Sequence, residues 1–116
     1  MFRVAILTVS DTSAWGERVD ASGDLVQEMV ASLEADVVAR EVVPDEMERI
    51  VEVLGGWADG GRVDLVLTTG GTGLGPRDVT PEATGAVIDR DVPGLAEAMR
   101  ARTLAKSPLA MISRQV

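Results

Sequence analysis

The apolar run Phe2–Val9 (FRVAILTV) decides the fold of this chain. Its nearly continuous hydrophobicity is typical of a central strand that is buried on both faces of a sheet. Two further strand-like segments follow, Val37–Val43 (VVAREVV) and Val63–Thr69 (VDLVLTT). The charged Arg40 and Glu41 indicate that the second strand lies nearer an edge. Because helical patterns separate the strands, we predict a Rossmann-like α/β fold, a three-layer open and mostly parallel sheet with helices on both faces.

Three helix starts are marked by residues that commonly cap helices. Ser22 is the predicted N-cap of the first long helix, which follows the polar loop Ser10–Ser22. Asp45 and Glu48 have the spacing of a capping box at the second helix. Thr80, followed by Pro81, is the predicted N-cap of a third helix.

The remaining elements are predicted from apolar spacing. The first long helix has an apolar stripe at helical spacing, and the glycine pair Gly55-Gly56 is expected to weaken or end the second. A later helix is predicted over Pro93–Leu104, and Leu109–Ile112 is interpreted as the start of another strand. The stripe consists of Leu25, Val26, Met29, Val30 and Leu33.

The composition excludes several classes of site. The chain has 116 residues, which predicts a single domain over 1–116, and it contains no cysteine and no histidine. A Ser-His-Asp triad, a thiolate nucleophile and an ordinary zinc site are therefore excluded. The net charge of −8 argues against nucleic acid as a partner. Without a signal peptide or a long apolar run, we expect a cytoplasmic protein that does not enter membranes.

The glycine-rich segment Thr68–Thr80 (TTGGTGLGPRDVT) carries the strongest functional signal. Glycines at a strand end permit positive φ angles and close backbone approach to a ligand, as a phosphate cradle requires. The segment fits neither the P-loop pattern nor G-x-G-x-x-G. A plain tight turn is the alternative, but the position after a buried strand, with interleaved hydroxyls, favours a phosphate ligand.

Several charged residues lie near the predicted ligand edge of the sheet. Asp78 could bind Mg²⁺ beside phosphates, could orient the nucleophile, or could only satisfy its own loop. Asp11 and Asp20 could line the crevice or occupy turns, and Arg77 is either the cation nearest the loop or a solvated surface residue. For Asp45 alone, the capping role is favoured.

These residues also resemble a known family. The stretch Leu67–Pro81 (LTTGGTGLGPRDVTP), with the Glu82-Ala83-Thr84 that follows it, is similar to the hallmark of the MogA/MoaB molybdopterin adenylyltransferases, which gephyrin and the plant Cnx homologues share. Further matches occur in family order and cover almost the whole chain. They are Leu7–Asp11 (LTVSD), Ser22-Gly23, Val43–Glu46 (VPDE), Pro93–Ala98 (PGLAEA) and Pro108–Arg114 (PLAMISR).

The resemblance implies a reaction and its partners. In that family ATP, assisted by Mg²⁺, transfers AMP to the terminal phosphate of molybdopterin and releases pyrophosphate. The product is handed to a downstream protein that inserts molybdate. The resemblance also implies a homotrimer, sometimes paired into a hexamer, and we expect apolar helical surface such as that near Trp57 to be buried between subunits.

Family positions also imply site residues. The nucleotide phosphates would be bound by Gly70, Gly71, Thr72 and Gly73. Asp78 would be the essential acidic residue and the Mg²⁺ ligand, and Asp45 would be the second important aspartate, which replaces its capping role. Ser10 and Asp11 would line the same cavity. Ser113 and Arg114 match an SR pair expected toward the pterin.

Family members continue past the SR pair with a strand, an asparagine- and proline-containing loop and a helix, which we expect this domain to lack. A non-catalytic molybdopterin-binding or assembly protein is therefore the alternative function. A receiver domain of a phosphorelay is a third hypothesis because Asp11 ends the first strand. Against it, the third strand ends in Thr68-Thr69-Gly70 rather than in a phosphoacceptor aspartate.

Overall fold

The structure, a computed structural model, describes residues 1–116. One sheet of three parallel strands has the order β2-β1-β3, and helices lie on both of its faces. This is the predicted α/β architecture. The elements are β1 (Phe2–Val9), α1 (Asp11–Ala14), α2 (Ala21–Ala31), β2 (Ala35–Val43), α3 (Met47–Asp59), β3 (Leu65–Thr69), α4 (Thr80–Val87), α5 (Pro93–Leu104) and a final 3-10 helix (Pro108–Ile112).

The central strand β1 supplies the core on both sides of the sheet. Leu7 and Val9 pack against α3 and α4 on one face. Val4 and Ile6 pack against Val30 of α2 on the other. Burying one such aliphatic side chain contributes about 1.5–3 kcal/mol. The apolar run therefore forms the central strand, as the sequence predicts.

Both outer strands lie at sheet edges, and their first residues differ from the prediction. β2 begins at Ala35, which pairs with Phe2, so this strand starts two residues before the predicted Val37. β3 begins at Leu65, two residues after the predicted Val63. Just before it, the Asp64 carboxylate accepts hydrogen bonds from the backbone N–H and the guanidinium of Arg3.

The four longer helices form where predicted, but their buried faces differ, and the short helix α1 lies within the predicted polar loop. In α2 only Val30 of the apolar stripe is buried, while Leu25 and Met29 are exposed. α3 continues through Gly55-Gly56 to Asp59 because its apolar face packs on the sheet. Trp57 packs partly buried against this core, and the burial of apolar surface near it between subunits stays a prediction.

The segment after α5 is not a strand. Pro108–Ile112 forms a 3-10 helix, whose start is capped when the Ser107 hydroxyl accepts the Leu109 N–H. The interpretation of Leu109–Ile112 as a strand is therefore wrong: the proline and the cap favour a helical turn. None of the helices is both long enough and apolar enough to span a bilayer.

Candidate functional site

The carboxyl ends of the three strands meet at one edge of the sheet. The Ser10 N–H, just after β1, donates to the Val43 carbonyl of β2 at 2.9 Å. β3 runs alongside β1 and leads into Gly70. The structure therefore brings Ser10, Asp11, Asp45 and the glycine loop together, because parallel strands end on the same side.

Asp11 and Asp45 are joined by two reciprocal hydrogen bonds. The Asp11 N–H donates to Asp45 Oδ2 at 2.9 Å, and the Asp45 N–H donates to Asp11 Oδ1 at 2.8 Å. The capping box is wrong, because Glu46 is the N-cap of α3 and makes no side-chain bond there. Asp45 instead links the ends of β1 and β2.

The two carboxylates have opposite pKa shifts. Arg77 forms a bidentate pair with Asp11, at 2.8 and 3.1 Å, and this hydrogen bonding lowers the pKa of Asp11. Partial burial raises the pKa of Asp45, and the charges of Asp11 and Asp78 raise it further. Asp45 therefore lies in a position that disfavours its charged form.

In the glycine loop, four successive backbone carbonyls have hydrogen-bond donors. The Gly70 carbonyl accepts the Thr80 hydroxyl at 2.8 Å, and the Gly71 carbonyl accepts the Thr80 N–H at 3.1 Å. The Thr72 carbonyl accepts the backbone N–H of Arg114 at 2.8 Å, and the Gly73 carbonyl accepts Arg114 Nε at 2.7 Å.

The N–H groups of the same loop have no such partners. Within the protein, none of the five N–H groups from Gly70 to Leu74 donates a hydrogen bond. A run of free N–H groups whose neighbouring carbonyls are occupied is an arrangement that binds anions. Because the protein carries a net charge of −8, local donors of this kind are needed to bind a phosphate.

Gly70 and Gly71 are required by geometry. Their φ angles are +95° and +69°, in the left-handed region that disfavours a side chain. A Cβ on Gly70 would collide with the Val9 carbonyl oxygen, and one on Gly71 would collide with the Thr80 hydroxyl. The loop is therefore packed directly against the end of β1 and the start of α4.

Thr80 has a role that differs from its predicted one. Val79 is the N-cap of α4, whereas Thr80 is the first helical residue and is fully buried. Its hydroxyl is directed to the Gly70 carbonyl because the loop folds back onto the helix. In the sequence, only the position of Thr80 in the motif, ten residues after Gly70, could have indicated this contact.

Asp78 lies beneath the tip of the loop. Its Oδ2 accepts the Gly75 N–H at 2.9 Å, and its other carboxylate oxygen has no donor within the protein. No three carboxylates converge to hold a metal by themselves. Because Mg²⁺ is usually bound by one or two carboxylates together with substrate phosphates, Asp78 and Asp45 still fit such an ion.

Two open cavities flank the loop. One, of about 250 Å³, is rich in hydroxyl groups and is lined by Ser10, Ser22 and Gly70. The other, of about 420 Å³, is lined by Asp45 and Arg77. The first cavity therefore reaches Gly70, whereas the second reaches only the later part of the glycine-rich segment, at Pro76, Arg77 and Val79.

The hydroxyl-rich cavity is organised by Asp20. Asp20, rather than the predicted Ser22, is the N-cap of α2, and it accepts the Gly23 N–H at 3.0 Å. It also accepts the Thr8 hydroxyl and the Arg40 guanidinium, each at 2.9 Å. These bonds outweigh its partial burial and lower the pKa of Asp20.

The SR pair is divided between two places. Ser113 faces a separate cavity beside α5 and is not brought to the glycine loop. Arg114 contacts the loop itself and pairs with Glu82 of α4 at 2.6 Å. The loop carbonyls that it contacts lie 41 and 36 residues earlier in the chain, so no local sequence pattern predicts these contacts.

Comparison with known proteins identifies the family. A sequence model described as a probable molybdopterin binding domain matches residues 5–116. The chain belongs to this molybdopterin-binding domain family. The matched range includes the whole glycine loop and the four aspartates described above, Asp11, Asp20, Asp45 and Asp78.

Curated members of the family are longer than this chain. The molybdopterin adenylyltransferase of Escherichia coli K12 is 40% identical over 116 residues, which cover 98% of this chain and 60% of that protein. The Helicobacter pylori J99 molybdopterin adenylyltransferase is 39% identical over 114 residues, which cover 97% and 65%. The chain thus spans less than two thirds of the length of these relatives.

Solved structures of the family share the fold. The molybdopterin biosynthesis enzyme MoaB from Thermus thermophilus is 54% identical with a TM-score of 0.91, covering 98% of this chain and 72% of that one. A structure of a molybdopterin biosynthesis protein from Mycobacterium abscessus also has a TM-score of 0.91, at 41% identity, covering 97% and 71%. The family resemblance seen in the sequence is therefore confirmed.

Proposed function

We propose that this chain acts in molybdenum cofactor biosynthesis by transferring the adenylyl group of ATP to molybdopterin. The observation that carries the proposal is the run of free N–H groups from Gly70 to Leu74, beside occupied carbonyls. The names of the adenylyltransferase relatives support the choice of substrates. The two cavities beside the loop offer space for two substrates.

The reaction suits a site without histidine or cysteine. An oxygen of the molybdopterin phosphate forms a bond to the α-phosphorus of ATP, the bond from that phosphorus to the bridging oxygen breaks, and pyrophosphate leaves. The attacking phosphate is already largely ionised at neutral pH, because its second pKa is about 6, so no general base is needed. The residues have to position the two anions and offset their charges.

The loop and its neighbours would supply that positioning. The N–H groups of Gly70, Gly71, Thr72 and Gly73 would bind nucleotide phosphates. Ser10 lines the hydroxyl-rich cavity, so the expectation that Asp11 lines the same cavity is wrong. Asp11 would act through its pair with Arg77, which lines the other cavity. We retain Ser113 as a predicted substrate contact, although its position beside α5 does not support that role.

Asp78 and Asp45 would hold Mg²⁺ at the phosphates, and Asp78 would be its main ligand. Mg²⁺ would offset the charge of the phosphate oxygens during transfer. Each carboxylate has one oxygen without a protein donor, and their mutual repulsion contributes to the raised pKa of Asp45. A cation at this position would relieve that repulsion.

The resemblance to the family supports a proposal for the location, the assembly and the next step of the pathway. We place the enzyme in the cytoplasm, with its product passed to a protein that inserts molybdate, and we propose a homotrimer, which could pair into a hexamer. Exposed apolar residues of α2, Leu25 and Met29, support an assembly. Sedimentation equilibrium at micromolar concentration should show a trimer, and a monomer alone would contradict this.

A turnover assay tests the proposed activity. We expect the purified chain, given ATP, Mg²⁺ and molybdopterin, to release pyrophosphate and form adenylylated molybdopterin. Omitting molybdopterin should stop pyrophosphate release. Molybdopterin binding without turnover would instead support the alternative, a non-catalytic binding or assembly protein of the same pathway.

A further inference from the structure

We propose that Arg114 is a positioning residue that keeps the carbonyl groups of the glycine loop away from the bound phosphates. This inference rests on the proposed function of the loop. Arg114 lies 41 positions beyond Gly73, yet its side chain donates to the Gly73 carbonyl at 2.7 Å. The same side chain donates to the Asp78 carbonyl at 2.6 Å.

The contacts of Arg114 cover the part of the loop from Thr72 to Asp78, whereas Thr80 bonds to the Gly70 and Gly71 carbonyls. The backbone N–H of Arg114 donates to the Thr72 carbonyl at 2.8 Å, so the residue contacts carbonyls at both ends of the 72–78 segment. A carbonyl oxygen beside a phosphate would repel it, whereas a carbonyl bonded to a guanidinium is turned toward that cation. Arg114 thereby favours the arrangement in which the loop N–H groups remain free for the ligand.

Glu82 fixes the direction of the guanidinium. Its carboxylate accepts Arg114 Nη1 at 2.6 Å and Nη2 at 3.2 Å, a bidentate pair anchored on α4. Because four of its five guanidinium N–H groups are engaged by the protein, Arg114 acts on the ligand mainly through the loop. Its planar set of donors is needed, since a lysine ammonium cannot reach these acceptors in the same directions.

The chain offers a matched control in Arg100. Arg100 of α5 also holds the C-terminal segment, since its Nη1 donates to the Gln115 carbonyl at 2.8 Å. It makes no contact with the glycine loop. Arg114→Lys and Arg100→Lys therefore both loosen the same segment with charge retained, but only the first removes bonds to loop carbonyls.

The test compares the two variants by calorimetric titration with MgATP, steady-state kinetics and amide hydrogen exchange. For Arg114→Lys we expect about tenfold weaker ATP binding, the equivalent of one lost charge-assisted hydrogen bond, with KM for ATP affected more than kcat. Exchange at the Gly75 and Asp78 amides should accelerate. Arg100→Lys should lower the melting temperature and leave ATP binding unchanged.

Two results would overturn the proposal. One is wild-type ATP affinity and loop exchange in Arg114→Lys; the other is an equal loss of affinity in Arg100→Lys, which would indicate general loosening. If the wild-type chain does not bind ATP, the proposed function fails, and the exchange comparison alone decides the role of Arg114. If Arg114→Lys does not fold, Glu82→Gln should show smaller changes of the same kind in ATP affinity and loop exchange. No change in either quantity in Glu82→Gln would also contradict the proposal.

Discussion

Asp78→Asn is expected to reduce adenylyl transfer by about 3–4 kcal/mol of transition-state free energy, a few hundred-fold in rate. Asparagine keeps the size of the side chain and an oxygen that can accept the Gly75 N–H, so the loop should stay folded. What it removes is the charge that would hold Mg²⁺ between two anionic substrates. Molybdopterin binding should be largely retained.

The measurement is turnover per folded molecule, with the melting temperature recorded for each variant. Asp64→Asn is a suitable control, because it removes a carboxylate at the opposite edge of the sheet, where Arg3 lowers its pKa to about 2. That control should lose stability and keep turnover. If Asp78→Asn instead kept wild-type turnover with a lowered melting temperature, Asp78 would only stabilise its loop. The proposed catalytic role of this site would then lose most of its support.

Asp45→Asn should also lower turnover, by about a hundredfold, while making the fold slightly more stable at neutral pH. The variant keeps an acceptor for the Asp11 N–H and removes a partly buried charge that faces Asp11 and Asp78. A residue that costs stability and supports activity is typical of a functional site.

The stability advantage of Asp45→Asn should depend on pH. The folded-state pKa of Asp45 is raised, so its ionised form destabilises the wild type at high pH, and this penalty disappears as the pH falls through that pKa. Thermal melts should therefore show the advantage of Asp45→Asn shrinking between neutral pH and about pH 4, near the ordinary aspartate pKa. A variant less stable than the wild type at pH 7 would contradict the account.

The fold could be predicted largely because hydrophobic pattern reports burial. The buried residues of the run Phe2–Val9 are all apolar except Thr8, so its place in the centre of the sheet was evident. Leu25 and Met29 show the limit of that signal. Their spacing predicts a helix correctly but not which apolar side chains the sheet covers, since that depends on tertiary packing.

The site was predictable where strand ends carry its residues. Asp11, Asp45 and Gly70 follow three parallel strands, and topology alone places them together. Local rules failed where a distant partner competed with a cap. The Asp45 carboxylate bonds to Asp11 rather than to its own helix, and the Thr80 hydroxyl bonds to the Gly70 carbonyl. The loop contacts of Arg114 depend on the path of the chain after α5, which no local pattern specifies.

NMR titration of the isotope-labelled protein with MgATP tests directly whether the backbone N–H groups of the glycine loop bind the nucleotide phosphates. The amide signals of the residues from Gly70 to Leu74 should shift together and saturate with one affinity, because their N–H groups bind the nucleotide phosphates. Saturable shifts confined to other parts of the chain, with these five amides unmoved, would show that the glycine loop is not the phosphate site.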